Sequence, residues 1–151
     1  QVYGFEAGIA IAFSKELKLS SQYNITKGFA QDQQGTKEAL RHAAPAYGNT
    51  RLIYNKAKLT LAAFAEYNGQ FDFEDLAPSQ QNNAFLYAAD QYGNPYAPKW
   101  YTLNFSAQYK YSKSLQLNAT LENITDRRYR PYSSGLSAPG RNLIVAATYT
   151  F

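Results

Sequence analysis

Acidic side chains cluster in the stretch NGQFDFEDLAPSQQNNAFLYAADQYGNPYAPKW, which contains Asp72, Glu74, Asp75 and, further along, Asp90. Carboxylate oxygens are the ligands that Ca²⁺ prefers, so these groups could hold that ion. The aromatic residues between them could instead stack on a sugar or another flat ligand. The alternative without a ligand is a loop that packs on its neighbours. We take Asp72, Glu74 and Asp75 as candidate ligand-binding loop residues, and they do not by themselves identify a metal.

Catalytic chemistry has little support in the composition. The chain of 151 residues has one His, no Cys, and no motif that places a Ser or Asp beside a base. No catalytic residue is therefore predicted, and we expect that the protein is not an enzyme. The formal net charge of +4 is spread along the chain without a basic run, so nucleic-acid binding is not expected.

Apolar and polar residues alternate with period two along most of the chain. From Tyr3 to Phe13 the odd positions are apolar, whereas the even positions are small or polar. This pattern predicts a strand with one apolar face. It recurs to give about seven antiparallel strands, most of about 10 residues or more, against ~5–6 in ordinary globular strands. The fold class is therefore all-β, with strands predicted over 3–13, 17–26, 50–54, 57–67, 100–111, 115–122 and 142–151.

The connections between these strands alternate in length. Those at SKE, NK and SKS are tight, whereas 28–49, 69–98 and 127–139 are long and rich in Gly, Pro, Asn, Gln and Tyr. The first turn makes Phe13 and Leu17 cross-strand neighbours, and a two-residue turn at NK would pair Tyr54 with Ala57. Short turns on one side and long loops on the other are typical of an antiparallel transmembrane β-barrel of the outer membrane.

A soluble β-sandwich is the competing interpretation, because it also has one apolar and one polar face. The polar face is polar throughout, which suits a water-filled or plugged lumen. Aromatic residues gather at the strand ends of the apolar face, and Leu, Ile, Ala and Val fill its middle. Rings at both ends of the strands suit the two interfacial girdles of a barrel. These features favour the barrel.

The strand number predicts that the barrel is incomplete. Bacterial barrels of this type have an even number of strands, at least 8, and an open sheet edge is not tolerated in lipid. About seven strands cannot close alone. We therefore expect residues 1–151 to be the C-terminal segment of one larger barrel domain, whose remaining strands lie outside this chain.

The last part of the chain, LNATLENITDRRYRPYSSGLSAPGRNLIVAATYTF, carries a spaced motif. It resembles the C-terminal signature of TonB-dependent outer-membrane receptors. In that family an Asn-x-x-Asp-x-x-Tyr block closes the penultimate strand, and a Pro-Gly-Arg block opens a last strand that ends in Phe. The forms YRPYSSG and APGRN are most similar to receptors of the Bacteroidetes type. The matching residues are Asn123, Asp126, Tyr129, Pro139, Gly140, Arg141 and Phe151.

The resemblance implies a 22-stranded barrel in the bacterial outer membrane with a plug domain inside it. Such receptors import a scarce ligand, such as a ferric siderophore or haem, with energy delivered through TonB. The partners expected are outer-membrane lipid, the missing strands and plug of the same receptor, and TonB through that plug. The resemblance also implies that the last strand, ending at Phe151, is recognised by the outer-membrane assembly machinery.

His42 is the one residue for which the resemblance implies a cofactor contact. Haem receptors of this family use loop histidines as iron ligands, so His42 is a candidate axial ligand. The alternative is a structural residue at a loop end. No cofactor is predicted within the chain itself, and haem and Ca²⁺ are candidates without a supporting ligand set. The alternative function is a non-transporting barrel or adhesin whose long external loops bind a surface partner.

Overall fold

Seven long strands form one antiparallel sheet in which each strand pairs with the next long strand along the chain. The computed structural model describes residues 1–31, 34–41 and 43–151. The predicted all-β class and the number of long strands are confirmed. The strands are β1 (Val2–Ala12), β2 (Leu17–Gln31), β3 (Lys37–Ala39), β4 (Tyr47–Lys56), β5 (Leu59–Asn68), β6 (Ala88–Ala89), β7 (Pro95–Tyr96), β8 (Trp100–Lys110), β9 (Leu115–Glu122) and β10 (Asn142–Tyr149).

The sheet order is β1-β2-β4-β5-β8-β9-β10, and it is open, with β1 and β10 as its edges. The short strand β3 pairs with the far end of β2, so part of the predicted loop 28–49 is an extension of the sheet. The first tight turn follows the prediction, because the Phe13 N–H donates to the Leu17 carbonyl at 2.9 Å.

The turn between β4 and β5 was predicted at the wrong position. Tyr54 pairs with Leu61 rather than with Ala57. The turn residue Ala57 has φ +50°, a left-handed value that the tight turns of hairpins require. Moving the turn by two residues adds further cross-strand pairs, and one of them gains a hydrogen bond from Thr60 Oγ1 to Asn55 Oδ1 at 2.7 Å. A shift of two residues keeps every side chain on its predicted face.

Register places the predicted apolar residues of all seven strands on one face. Ladder partners share a face in an antiparallel sheet, and Ile25, for example, lies opposite Phe5. This face is partly to fully solvent-exposed, as the alternation predicts for a surface that meets lipid. Its exposed large side chains include Phe5, Ile9, Tyr23, Ile25, Leu52, Tyr101, Leu103, Phe105, Tyr109, Leu117, Leu143 and Val145.

Most of the buried apolar residues among those described lie in the long connections at one end of the sheet, whereas Ala62 lies on β5. The connection from β5 to β8 contains a 3₁₀ helix (Phe73–Asp75), α1 (Pro78–Gln81), a second 3₁₀ helix (Ala84–Leu86) and the β6–β7 pair. Leu76, Tyr87 and Ala97 form its core. Tyr132 of the connection between β9 and β10 packs against that core. None of the helices in the described part of the chain is long and apolar enough to cross a membrane.

Candidate functional site

Asn123 fastens the connection between β9 and β10 to the end of the sheet. Its side-chain Nδ2 donates to the Arg127 carbonyl at 2.8 Å and to the Pro139 carbonyl at 3.3 Å. Its Oδ1 accepts from the Arg127 N–H at 2.9 Å. Its own N–H donates to Asn104 Oδ1 on β8 at 2.8 Å. Asn123 is buried and has φ +47°, a conformation that Asn tolerates better than most residues.

Asp126 joins the start of β10 to the same point. Its Oδ1 accepts from the Arg141 N–H at 2.8 Å, and Arg141 Nε donates to the Ile124 carbonyl at 3.0 Å. A Cβ on Gly140 would lie 2.5 Å from Asp126 Oδ1. A side chain at this position would therefore displace the carboxylate from its hydrogen bond with the Arg141 N–H. We call Asn123, Asp126, Gly140 and Arg141 the rim clamp.

Tyr129 completes the motif by stacking on Trp100, the first residue of β8. The two ring centroids are 4.3 Å apart at 34°. Burial raises the pKa of Tyr129, and the negative charges of Glu66 and Glu122 raise it further, so the phenol stays neutral. The indole N–H of Trp100 is buried and has no hydrogen-bond partner among the described residues.

The structure therefore brings six of the seven motif residues together in one rim structure and leaves one apart. Hydrogen bonds hold the residues of the rim clamp at the end of the sheet, and stacking on Trp100 holds Tyr129 there. Phe151 lies beyond the end of β10, where its ring meets Tyr149 edge-on at 5.2 Å. Phe151 is fully exposed.

A cleft of about 310 Å³ lies between the two long connections. Four cationic side chains and four aromatic rings line it. Such a surface suits an anionic ligand with flat groups, since guanidinium groups bind anions in pairs of hydrogen bonds and rings stack on flat groups. The cations are Lys99, Arg127, Arg128 and Arg130, and the rings are Tyr87, Trp100, Tyr129 and Tyr132. We call this the loop cleft.

Buried hydrogen bonds hold one wall of the loop cleft. Gln80 Nε2 donates to the hydroxyls of Tyr87 at 2.8 Å and Tyr132 at 3.0 Å. Gln80 is 2% exposed, and its Oε1 accepts from the Ala77 N–H at 3.3 Å, so its amide is satisfied within the protein. Burial raises the pKa of Tyr132 to about 12, against the lowering effect of its hydrogen bond with Gln80. Tyr132 is therefore neutral, and the hydrogen bonds from Gln80 fix the hydroxyls of both tyrosines in position.

The predicted acidic residues lie at the surface of the β5–β8 connection. Asp72, Glu74 and Asp75 are exposed, and Asp72 Oδ1 accepts from Gln70 Nε2 at 2.6 Å. Among the described residues, no three His, Cys, Asp or Glu side chains are grouped so that they could hold a metal ion.

Asp90, the fourth acidic residue of this connection, closes a turn. Its Oδ1 accepts from the Tyr92 and Asn94 N–H groups, both at 2.8 Å. Desolvation would raise the pKa of Asp90, but the hydrogen bonds from Asn94, Tyr92 and Gly93 outweigh it and lower the pKa. The candidate ligand His42 lies outside the described residues.

The loop cleft was missed in the sequence, although a signal for it exists. The segment DRRYRPY alternates three arginines with two tyrosines in a long loop. Its other wall comes from the β5–β8 connection, which is distant in sequence and has no periodic pattern. The two walls are joined by the packing of Tyr132 on Tyr87 and Phe71. Hydrogen bonds also join them, from Gln80 to the Tyr132 hydroxyl and from Arg130 to the Phe85 carbonyl.

No protein-family model matches the chain. Solved structures do match it, over nearly its whole length. The copper transporter OprC aligns with a TM-score of 0.79 and 15% identity, over 99% of this chain and 23% of that protein. OprC is a TonB-dependent receptor, as are the two proteins described next. The fold is that of their barrel wall.

Two further receptors show the same correspondence. The siderophore receptor PiuA from Acinetobacter baumannii aligns with a TM-score of 0.62 and 19% identity, over 98% of this chain and 21% of that one. A mutant of the ferric enterobactin receptor PfeA from Pseudomonas aeruginosa, in complex with enterobactin, gives 0.71 and 18%, over 99% and 22%. The chain thus spans between 21% and 23% of the length of these three proteins.

Proposed function

We propose that this chain forms the C-terminal barrel strands of a bacterial outer-membrane receptor of the TonB-dependent type, which imports a scarce ligand. The observation that carries the proposal is the alignment of nearly the whole chain, strands and long connections together, with receptors for copper and for siderophores. An apolar face that runs across seven strands and has many exposed large side chains supports a membrane position.

The open edges of the sheet support the need for further strands. β1 and β10 each have one neighbour in the sheet, so each has a row of backbone groups without a ladder partner. Such groups cost several kcal/mol each in lipid. The partners proposed are the remaining strands of the same receptor, a plug within the barrel, TonB acting through that plug, and the assembly machinery that reads the last strand.

The loop cleft supports an anionic ligand, such as a ferric siderophore of the catecholate kind. Four cations lie beside four rings in one cavity, which favours a ligand that carries both negative charge and flat groups. Haem also combines negative charge with a flat ring, and His42 stays a predicted iron ligand. Asp72, Glu74 and Asp75 stay predicted ligand residues, and they are exposed in the β5–β8 connection.

The proposal is tested with cells that express the complete receptor. A catecholate siderophore loaded with radioactive iron should accumulate only when TonB and the inner-membrane proton gradient are both intact. Replacing Arg128 and Arg130 with Gln should weaken siderophore binding, whereas the same change at Lys113, in the opposite turn, should not. Surface binding without any energy-dependent uptake would favour the adhesin and contradict import.

The haem alternative has its own measurement. Titration of the purified complete receptor with haem should give a visible absorption band that His42→Ala removes, if His42 ligates the iron. A titration without a band, or a band unchanged in His42→Ala, would contradict the prediction that His42 ligates haem iron. Neither result would contradict the siderophore proposal.

A further inference from the structure

Three tyrosines lie in one row across the outward, apolar face. Register places Tyr23 opposite Gly48, Gly48 opposite Tyr67, and Tyr67 opposite Tyr101. The row therefore crosses β2, β4, β5 and β8 next to the end of the sheet that bears the long connections. These strands lie inside the sheet rather than at its edges, so this face does not depend on the missing strands.

Gly48 has no side chain, so it leaves a gap in this row, and the gap is part of a cleft. A Cβ at Gly48 would lie 2.7 Å from Cε2 of Tyr67 and 2.9 Å from its hydroxyl. The Tyr67 ring thus lies across the glycine, and its hydroxyl is 3.3 Å from Thr50 Oγ1. The result is a cleft of about 350 Å³ whose lining includes the three tyrosines, Ala46, Lys99 and Arg127. We call it the outer cleft.

The two cations of the outer cleft are available to an anion. The Arg127 guanidinium carbon lies 4.9 Å from the centre of the Tyr101 ring. The Arg127 backbone is fixed on both sides by Asn123. Lys99 is exposed at the same mouth. Within residues 1–31, 34–41 and 43–151, neither cation forms an ion pair with a carboxylate. Both also line the loop cleft, whereas Tyr23 and Tyr67 line the outer cleft alone.

The depth of this row suits a membrane interface. Along β8, Tyr101 and Tyr109 lie on the same face, eight residues apart. At ~3.4 Å per residue this is about 27 Å of strand, or about 21 Å along the membrane normal for a tilt of ~40°. The apolar band of such barrels is ~25 Å tall, with aromatic girdles at both edges. The tyrosine row therefore lies at headgroup level when the apolar face is in lipid.

We propose that the outer cleft binds the phosphate of an outer-leaflet lipid. This inference rests on the proposed outer-membrane position. Arg127 presents a planar fork of donors that matches phosphate oxygens, and Lys99 adds a second charge. The three tyrosines receive the apolar and sugar parts of the lipid below the phosphate. The cations at the mouth of the cleft and the tyrosines below them thus match the order of phosphate, sugar and acyl chains in the lipid.

Binding is measured by native mass spectrometry on the complete receptor purified in detergent. The probes are lipid A with its phosphates, lipid A from which they have been removed, and inorganic phosphate. One basic residue near a membrane surface contributes about fivefold in affinity. Lys99→Gln should therefore bind phosphorylated lipid A about fivefold more weakly, and Lys99→Gln with Arg127→Gln about 25-fold. Lys113→Gln should bind like the wild type, and Tyr23→Ala should weaken lipid binding without loss of either charge.

Three results would overturn the lipid site. They are equal binding of phosphorylated and dephosphorylated lipid A, equal losses in Lys99→Gln and Lys113→Gln, and inorganic phosphate competing as well as the lipid. If Arg127→Gln fails to assemble, Lys99→Gln alone decides. Cell fractionation separates this proposal from the previous one. A receptor absent from the outer-membrane fraction contradicts the proposed function, whereas a receptor found there with unchanged lipid binding contradicts only the lipid site.

Discussion

Replacing Asn123 with Ala tests whether the rim clamp holds the connection between β9 and β10. The change removes the hydrogen bonds to both backbone groups of Arg127 and the longer one to the Pro139 carbonyl. It also places Ala at φ +47°, which L-residues other than Asn, Asp and Gly rarely adopt.

The expected loss of local stability is about 3 kcal/mol. Each of the two short hydrogen bonds is worth about 1 kcal/mol net, and the left-handed backbone conformation costs Ala about 1 kcal/mol or more. A loss of about 3 kcal/mol raises the open population of the connection roughly 100-fold. Asn123→Gly removes the same hydrogen bonds without the backbone penalty, so its effect should be smaller by about fivefold to tenfold.

Limited digestion with trypsin reports this opening. The connection offers cleavage after Arg127 and Arg128, and cleavage follows the open population when reclosing is fast. The complete receptor in detergent is digested, and the fragment released at these sites is followed by mass. Asn123→Ala should speed its release by up to about 100-fold.

The matched control is Asn118→Ala on β9, whose side chain forms, among the described residues, one long hydrogen bond, from Gln116 at 3.3 Å. Its cleavage in the connection should stay within about threefold of the wild type. Cleavage of Asn123→Ala within the same range, or an equal increase in both variants, would refute the role given to the rim clamp.

Three further predictions follow from the site and the last strand. Gly140→Ala should destabilise the connection by about 1–3 kcal/mol, and Asp126→Ala in the same chain should relieve part of that cost, because it removes the oxygen that the new Cβ meets; additive losses in trypsin resistance would contradict this. Burial raises the pKa of Tyr132 to about 12. The neutral phenol therefore contributes its full stabilisation of the loop below pH 10, and this stabilisation is lost as the pH rises toward 12. Trypsin resistance measured across this pH range should show the loss in the wild type and not in Tyr132→Phe. Phe151→Ala or a polar extension should reduce assembly of the complete receptor without weakening siderophore binding, and an unchanged membrane yield would count against it.

The faces of the strands could be predicted from sequence because they need only local information. From Tyr3 to Phe13 the alternation assigns every side chain to a face, and the register agrees. The β4–β5 turn was misplaced because a shift of two residues preserves that alternation. The turn lies at Ala57, which has a left-handed backbone conformation. No residue type in the segment indicates that conformation at this position.

The candidate site was harder to predict because long-range packing builds it. The motif residues from Asn123 to Arg141 could be named from their spacing, yet the hydrogen bonds that join them were not derivable. Gln80 is an ordinary polar residue in the sequence, and its burial depends on Tyr87 and Tyr132. Asp72, Glu74 and Asp75 were predicted as ligand residues because carboxylates bind Ca²⁺. In the described fold they are exposed, and they belong to no group of three or more potential metal ligands.

The rim clamp fixes both ends of the β9–β10 connection to the same point, so strand register does not depend on the sequence between them. Glu122 faces Asn142 whatever lies in the span from 128 to 138. A slip of one residue would turn the apolar face of β10 inward, and the clamp opposes it outside the lipid. Tyr129 and Tyr132 within this span pack on Trp100 and on the Leu76 core. We therefore expect changes in length or sequence elsewhere in the span to leave the register of β10 unchanged.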